Sequence, residues 1–152
     1  MVDQEQIKQQ IEKLLELLGV QGRVVIEDRA GKLAYNIRTE DSSVLIGQYG
    51  GHLAALQHIA RLLVRKSMSP EDSSPEFILD VEDYRKSRDE FLVELARQAA
   101  ARVRETKQTL ILKPMNGYDR FVIHTQLSES SDLITESTGE EPERRVVIKL
   151  KA

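Results

Sequence analysis

The chain has 152 residues, of which 40% are hydrophobic and 31% are charged. This length and composition suffice for one ordinary domain or two small ones with a packed core. The absence of cysteine excludes disulfides, thiolate nucleophiles and cysteine-ligated zinc, and the three scattered histidines give no metal-ligand spacing.

The charge balance limits the range of partners. The net charge is −3 at pH 7, whereas a nucleic-acid-binding domain is expected to carry a basic surface, so only local basic patches can serve that role. The polar, acidic beginning of the chain is unlike a signal peptide, and no apolar run is long enough to cross a bilayer. We therefore expect a cytoplasmic protein without membrane insertion and without a cofactor.

The first third of the chain predicts a helix followed by two strands. Apolar residues recur every three or four positions over residues 4–18, which indicates an amphipathic helix that ends at Gly19. Residues 23–29 and 32–38 are typical of two strands joined by a tight turn, and the second of them alternates clearly between apolar and polar positions. This part of the chain is therefore expected to form a hairpin beside a helix.

A Gly-x-x-Gly turn at Gly47 and Gly50 follows the predicted hairpin. Asp41 and Ser42 are typical of the start of a short helix over 43–46, and residues 52–66 repeat apolar side chains at helical spacing. Glycines permit a sharp turn that brings backbone N–H groups close to a ligand, and a helix N-terminus favours an anion such as phosphate. By itself this spacing more often marks a tight turn or helix boundary, so the surrounding elements must decide.

The remaining elements form a second group after a short strand over 76–81. A helix over 84–106 contains neither proline nor glycine and can run about 35 Å. The second half of the chain is predicted to contain, in order, a strand over 109–112, a helix over 118–127 that Asn116 caps, and strands over 133–137 and 144–150.

Arg120 and His124 are the second chemical signal, since residues four apart share one helix face. Together a guanidinium and an imidazole can hold a phosphate, the first through a bidentate fork and the second through one N–H. The alternative is that Arg120 pairs with a local carboxylate while His124 is a satisfied, half-buried histidine. Spacing alone favours that alternative.

The order of elements over residues 1–81 resembles the type II KH domain (α-β-β-α-α-β), whose glycine loop grips the backbone of about four nucleotides. The rest of the chain, including Pro114 to Arg120, His124 and 140–148, looks like the domain family named for its Arg-x-x-x-His signature (α-β-α-β-β). A KH domain followed by such a domain is the arrangement of the Jag/KhpB family of bacterial RNA-binding proteins. The resemblance implies an α+β fold of two small domains, 1–81 and 82–152, joined by the long helix.

That resemblance implies a function as well as a fold. We expect a single-stranded RNA-binding protein, with single-stranded DNA as the other ligand, that acts as a bacterial post-transcriptional regulator linked to cell elongation and division. Val44, Ile46 and Leu53 are expected to form an apolar groove for bases, although Ile46 and Leu53 are equally credible as core residues. The residues expected to contact RNA are Ile46, Gly47, Gln48, Tyr49, Gly50, Gly51, Leu53, Lys113, Arg120, His124 and Arg145.

The chain departs from the family pattern in two ways. Its glycine loop contains Gln48 and Tyr49 but no Lys or Arg, so Tyr49 is expected to offer a stacking surface instead. Members of the family often carry a further N-terminal Jag domain. We expect this chain to lack that domain because Met1 lies almost at the first predicted helix.

Two other functions remain open. The first is a protein-interaction module that forms a homodimer, or a heterodimer with a small KH protein, with RNA secondary or absent. The second is an enzyme in which Arg120 binds phosphate and His124 is a general base. We do not expect an enzyme, because the sequence contains no readable second activating group, P-loop or nucleophile elbow.

Overall fold

The computed structural model describes residues 3–152 as a chain with two compact units. One unit ends at Arg85, and the other comprises Lys86–Ala152. Helices accompany two three-stranded sheets, so the α+β class predicted from the sequence is confirmed. Each helix in the described part of the chain is either too short or too polar to cross a lipid bilayer.

The elements of the first unit lie within a few residues of the predicted bounds. They are α1 (Gln4–Leu17), β1 (Arg23–Arg29), β2 (Lys32–Arg38), α2 (Ser42–Ile46), a 3₁₀ turn (Gln48–Gly50), α3 (Gly51–Lys66) and β3 (Phe77–Val81). The central strand, β2, pairs antiparallel with β1 and parallel with β3. Consequently β3 forms one edge of the sheet.

The core of the first unit lies where α1 and α3 meet the sheet. Tyr35 on β2 is fully buried, and its ring packs edge-to-face on Phe77 with the centroids 5.4 Å apart. The Tyr35 hydroxyl donates to the Gln4 carbonyl oxygen at 3.1 Å, and burial raises the pKa of Tyr35 to about 12. Tyr35 is therefore a core residue and offers no surface to a ligand.

Side chains of α3 and of the residue after Tyr84 cover the free edge of β3. Gln57 Nε2 donates to the Phe77 carbonyl oxygen at 2.7 Å, while Gln57 Oε1 accepts from the Leu79 N–H at 3.1 Å. The guanidinium of Arg61 donates to the same Phe77 oxygen at 3.1 Å. Arg85 Nε donates to the Leu79 carbonyl oxygen at 3.1 Å. These bonds satisfy backbone groups that an edge strand would otherwise expose.

Charged side chains cover part of the other face of this sheet. Arg29 bonds to the buried carboxylate of Asp80 at 2.5 Å, and Arg38 bonds to Asp83 at 2.9 Å. The amide of Asn36, also buried, donates to Asp83 at 2.7 Å. The Arg38 guanidinium holds the pKa of the Asp83 carboxyl below its usual range. These cations are therefore engaged in ion pairs within the unit.

The elements of the second unit also follow the predicted order. They are α4 (Tyr84–Thr106), whose first two residues belong to the first unit, β4 (Leu110–Ile111), α5 (Gly117–Leu127), β5 (Leu133–Thr138) and β6 (Arg145–Leu150). The strand order is β4-β6-β5, with both pairs antiparallel. The Asn116 side chain caps α5 as predicted, because its oxygen accepts from the Asp119 N–H at 2.9 Å.

The sheet of the second unit buries one face against helices. Val146 and Ile148 on β6 are fully buried in a core to which α4 contributes Leu92, Ala96 and other small or apolar residues. Because side chains alternate along a strand, the residues between them point to the opposite face. That face of β6 carries Arg145, Val147 and Lys149.

Candidate nucleic-acid interface

The Gly-x-x-Gly segment forms a turn that leads directly into α3. Gly47, Tyr49 and Gly50 have φ angles of +68°, +54° and +76°, all in the left-handed region. Gln48 and Tyr49 are exposed at the outside of the turn. The first amide groups of any helix have no partner within it, and the helix dipole there favours negative charge. The geometry of this turn therefore suits an anion.

Packing within the unit also requires both glycines. A Cβ on Gly47 would collide with the ring of His52, whose Nδ1 lies 2.8 Å from the Val44 carbonyl oxygen. A Cβ on Gly50 would stand 2.9 Å from Cε1 of Tyr84. Local packing thus accounts for the two glycines without a ligand.

The apolar groove predicted from Val44, Ile46 and Leu53 opposite β3 does not form. Val44 and Ile46 are two residues apart on a helix, so their side chains point about 200° apart. Val44 lines a separate apolar cavity of about 260 Å³ with Leu18 and Ile59, whereas Ile46 packs half-buried on the core. Leu53 is only 2% exposed and belongs to the core, the alternative that the sequence left open for it.

The surface along β3 is polar instead. Gln57 is held between β3 and Arg85, whose Nη2 donates to Gln57 Oε1 at 2.9 Å. Beyond Gln57, Arg61 and Lys32 line an open cavity of about 450 Å³ together with Ser74. Two of these residues, Gln57 and Arg85, were missed by the sequence analysis. The available signal was a glutamine within the apolar stripe of α3, where a buried amide needs polar partners.

The guanidinium of Arg120 is buried and carries two partners. Nη1 donates to the Met115 carbonyl oxygen at 2.7 Å, and Nη2 donates to the Glu141 carboxylate at 2.6 Å. Pairing with a local carboxylate is the alternative that the sequence left open. The side chain of Glu141 is 59% exposed, so the carboxylate that occupies Arg120 stands at the protein surface.

His124 is half-buried between two hydroxyl groups of β5. Its Nδ1 lies 2.7 Å from Thr135 Oγ1 and its Nε2 lies 2.8 Å from Ser137 Oγ. Burial, assisted by the charge of Arg120, lowers the pKa of His124. A neutral imidazole donates through one nitrogen and accepts through the other, and hydroxyl groups can satisfy both. Within residues 3–152, no group of three or more His, Asp or Glu side chains is placed to hold a metal ion.

Arg145 does not share a face with Arg120 and His124 as predicted. His124 contacts the face of the second sheet that includes Thr135, Ser137 and Val146, and side-chain alternation directs Arg145 to the opposite face. Arg145 bonds there to Glu143 at 3.2 Å. Lys113 lies beyond β4 and is exposed.

Comparison with known proteins identifies relatives of the chain. Residues 90–150 match the domain family named for its Arg-x-x-x-His signature. The RNA-binding protein KhpB of Clostridium symbiosum is 41% identical over 119 residues, covering 76% of this chain and 51% of that protein. The protein of the same name from Bacillus subtilis is 30% identical over 149 residues, covering 97% of this chain and 70% of that protein. A third, from Lactiplantibacillus plantarum, is 33% identical over 116 residues, covering 76% and 35%. The chain therefore spans about half or less of two of these relatives.

Proposed function

Because this chain belongs to the KhpB family, we propose that it binds single-stranded RNA without catalysing a reaction. The observation that carries the proposal is its likeness to three relatives named as RNA-binding proteins, together with the Arg-x-x-x-His domain match over residues 90–150. In this proposal residues 1–81 are a type II KH domain and residues 82–152 an Arg-x-x-x-His domain. The wider role, that of a bacterial post-transcriptional regulator in the cytoplasm, follows from the family resemblance.

In the first domain, the backbone of the RNA lies against the turn at Gln48 and the N-terminus of α3. From there the strand follows the covered edge of β3, past Arg85 and Gln57 to Arg61. This path supplies two cations, and Lys32 lines the open cavity at its far end. From Gly51 to Arg61 the helix rises about 15 Å, a length in keeping with the roughly four nucleotides that KH domains bind.

The turn is tested by changing the charge at Gln48 in both directions. Gln48→Glu keeps the shape of the side chain and places a negative charge beside the proposed phosphate, whereas Gln48→Lys supplies the cation that the loop lacks. A unit charge at 4 Å in water is worth about 1 kcal/mol, so we expect about fivefold weaker and fivefold tighter binding, respectively. Fluorescence anisotropy with labelled single-stranded RNA at two salt concentrations measures both effects.

A matched pair on α1 controls for net charge. Gln9 is exposed on α1, so Gln9→Glu and Gln9→Lys make the same charge changes away from the turn. Circular dichroism checks the fold of each variant. Equal effects at Gln48 and Gln9 would remove the turn as an RNA site, while wild-type protein that does not bind RNA at low salt would overturn the proposed function.

In the second domain, a phosphate of the RNA replaces Glu141 at Arg120 and accepts an N–H from neutral His124. A phosphate oxygen can take the place of the carboxylate because both are anionic acceptors for a guanidinium. Glu141 therefore competes with RNA. We expect Glu141→Gln to bind RNA about two- to fivefold more tightly, since an exposed ion pair is worth up to about 1 kcal/mol.

The neighbouring Glu140 provides the control for this substitution. Glu140→Gln removes the same charge one residue away, from another exposed side chain. Anisotropy titrations of both variants against the same RNA separate local competition from a general reduction in negative charge. Equal gains in the two variants, or none in Glu141→Gln, would mean that phosphate does not bind at Arg120.

A second candidate function is protein interaction. The apolar cavity lined by Leu18, Val44 and Ile59 favours it, because these side chains are 54%, 60% and 43% exposed. Clustered exposed apolar side chains are typical of protein contacts. If the anisotropy titrations detect no RNA binding by the wild type, this becomes the favoured function of the first domain.

A further inference from the structure

Two aromatic side chains stand exposed on α5 beside the Arg120–His124 pair. Tyr118 is 57% exposed and Phe121 is 63% exposed, although α5 buries Asp119, Arg120 and other residues on its inner face. Residues three apart on a helix are neighbours, so the two rings lie on one outward surface. Phe121 is likewise three residues before His124. The exposed aromatic surface thus adjoins the proposed phosphate site.

The structure fixes the position of this surface. The Tyr118 hydroxyl donates to the Asp89 carboxylate on α4 at 2.8 Å. Next to it, Asp119 accepts two bonds from Arg88 of α4, at 3.1 and 2.5 Å. These contacts hold the first turn of α5 against α4. The rings are therefore presented on a rigid support, which lowers the entropic cost of stacking a ligand on them.

We propose that Tyr118 and Phe121 form a stacking surface for unpaired bases of the RNA, an inference that rests on the proposed function. Every base has a π-face, so aromatic rings bind single strands with little regard to sequence. A strand whose phosphate reaches Arg120 and His124 necessarily carries bases within reach of the adjoining turn of the same helix. The pair therefore adds base contacts to a site that otherwise offers only phosphate contacts.

The size of the surface favours bases over a protein partner. A fully buried aromatic side chain contributes about 150–250 Å², so two rings exposed to this degree offer on the order of 200–300 Å². A stable protein interface takes about 800 Å² from each partner. Two rings match one or two stacked bases and fall well short of a protein contact.

A single tryptophan can report on stacking directly, because the chain contains none. Phe121→Trp keeps an aromatic ring at the exposed position and adds a fluorophore that a stacked base quenches. We expect single-stranded RNA to quench it, with the same concentration dependence as the anisotropy of the labelled RNA. Ile111→Trp is the matched control, because Ile111 is 58% exposed and opposes Val147 on the sheet face that points away from the helices. Its fluorescence should not respond.

Affinity provides a second measurement. Stacking one base on an aromatic ring is worth about 1–3 kcal/mol, so Phe121→Ala should weaken RNA binding by about tenfold, whereas Ile111→Ala should leave it unchanged. Binding that persists without quenching of the Phe121→Trp protein would overturn the stacking surface and leave the proposed function intact. Quenching that depends on protein concentration in the absence of RNA would make the rings a protein contact and also overturn it. An absence of RNA binding by the wild type would instead remove the proposed function, and the inference with it.

Discussion

The imidazole of His124 shows how burial sets the charge of a residue near the proposed phosphate site. Two hydroxyl groups of β5 hold both ring nitrogens, and burial with the nearby Arg120 lowers the pKa of His124. The neutral form is therefore favoured at pH 7. A neutral ring can donate one hydrogen bond to phosphate but adds no positive charge, so Arg120 supplies the charge at this site.

The lowered pKa of His124 predicts a pH dependence of stability. In the unfolded chain a histidine takes up its proton near pH 6.5, whereas in the folded protein it does so at a lower pH. The unfolded state thus binds more protons in this window, and the free energy of unfolding decreases as the pH falls from 7.5 to 5.5. His124→Gln, which cannot titrate, should lose less stability over the same range, as measured by urea unfolding at the two pH values.

Carboxylates with lowered pKa values do not interfere with this measurement. Arg38 holds the pKa of Asp83 below its usual range, and Arg104 does the same for Asp132, so both remain charged between pH 7.5 and 5.5. Identical pH dependence in the wild type and His124→Gln would show that His124 does not contribute. The comparison uses differences between variants, which cancels most contributions of other groups.

The individual residues of the site were predictable by type but not by environment. The Arg-x-x-x-His spacing correctly placed Arg120 and His124 on one helix. It could not identify Glu141 as the partner of Arg120, because that contact joins residues 21 positions apart. Gln57 illustrates the same limit, since its role depends on a strand that begins 20 residues later. Local spacing carries no information about such long-range partners.

At the scale of elements, the glycine turn yields a prediction about stability. Gly47→Ala places a Cβ at φ +68° and against the His52 ring. A backbone conformation that only glycine readily adopts costs about 1–3 kcal/mol for other residues. We therefore expect the free energy of unfolding to fall by about 2 kcal/mol or more, as measured by urea denaturation. This loss would occur without RNA, so Gly47 substitutions are a poor test of RNA contact.

Gly51 is the control for the turn. It has φ −61° and ψ −41°, and a Cβ there meets no atom within 4 Å. Gly51→Ala should therefore be neutral or stabilise by up to about 1 kcal/mol, because alanine favours helical backbone more than glycine does. Adding His52→Ala to Gly47→Ala should recover the part of the loss that comes from the collision with the ring. Equal effects of Gly47→Ala and Gly51→Ala would contradict this account of the turn.

Long periodic elements were predicted more accurately than short ones. The helix over 84–106 was predicted with the ends that α4 has, since many apolar positions and the absence of proline and glycine define it. By contrast, β4 is two residues shorter than predicted, and in the five-residue α2 the directions of Val44 and Ile46 were wrong. A short element is positioned mainly by its packing, which the sequence pattern alone does not specify.

At the scale of the whole molecule, the low net charge reflects how many cations are already paired. In the first unit Arg29 and Arg38 bond to carboxylates, and in the second Arg88 and Arg104 do so. Acidic residues thus neutralise cations that the sequence would otherwise count as a basic surface. RNA binding in such a protein has to depend on a few local cations and on stacking rather than on a broad positive field.

The covered edge of β3 has a further consequence in the crowded interior of a cell. An open strand edge is a template on which an unfolded or neighbouring chain can add a strand, and such pairing propagates into aggregates. Here Gln57, Arg61 and Arg85 already bond to the backbone groups that an incoming strand would need. The edge therefore resists strand addition, which protects the newly made protein from polymerising along the surface where we propose that it binds RNA.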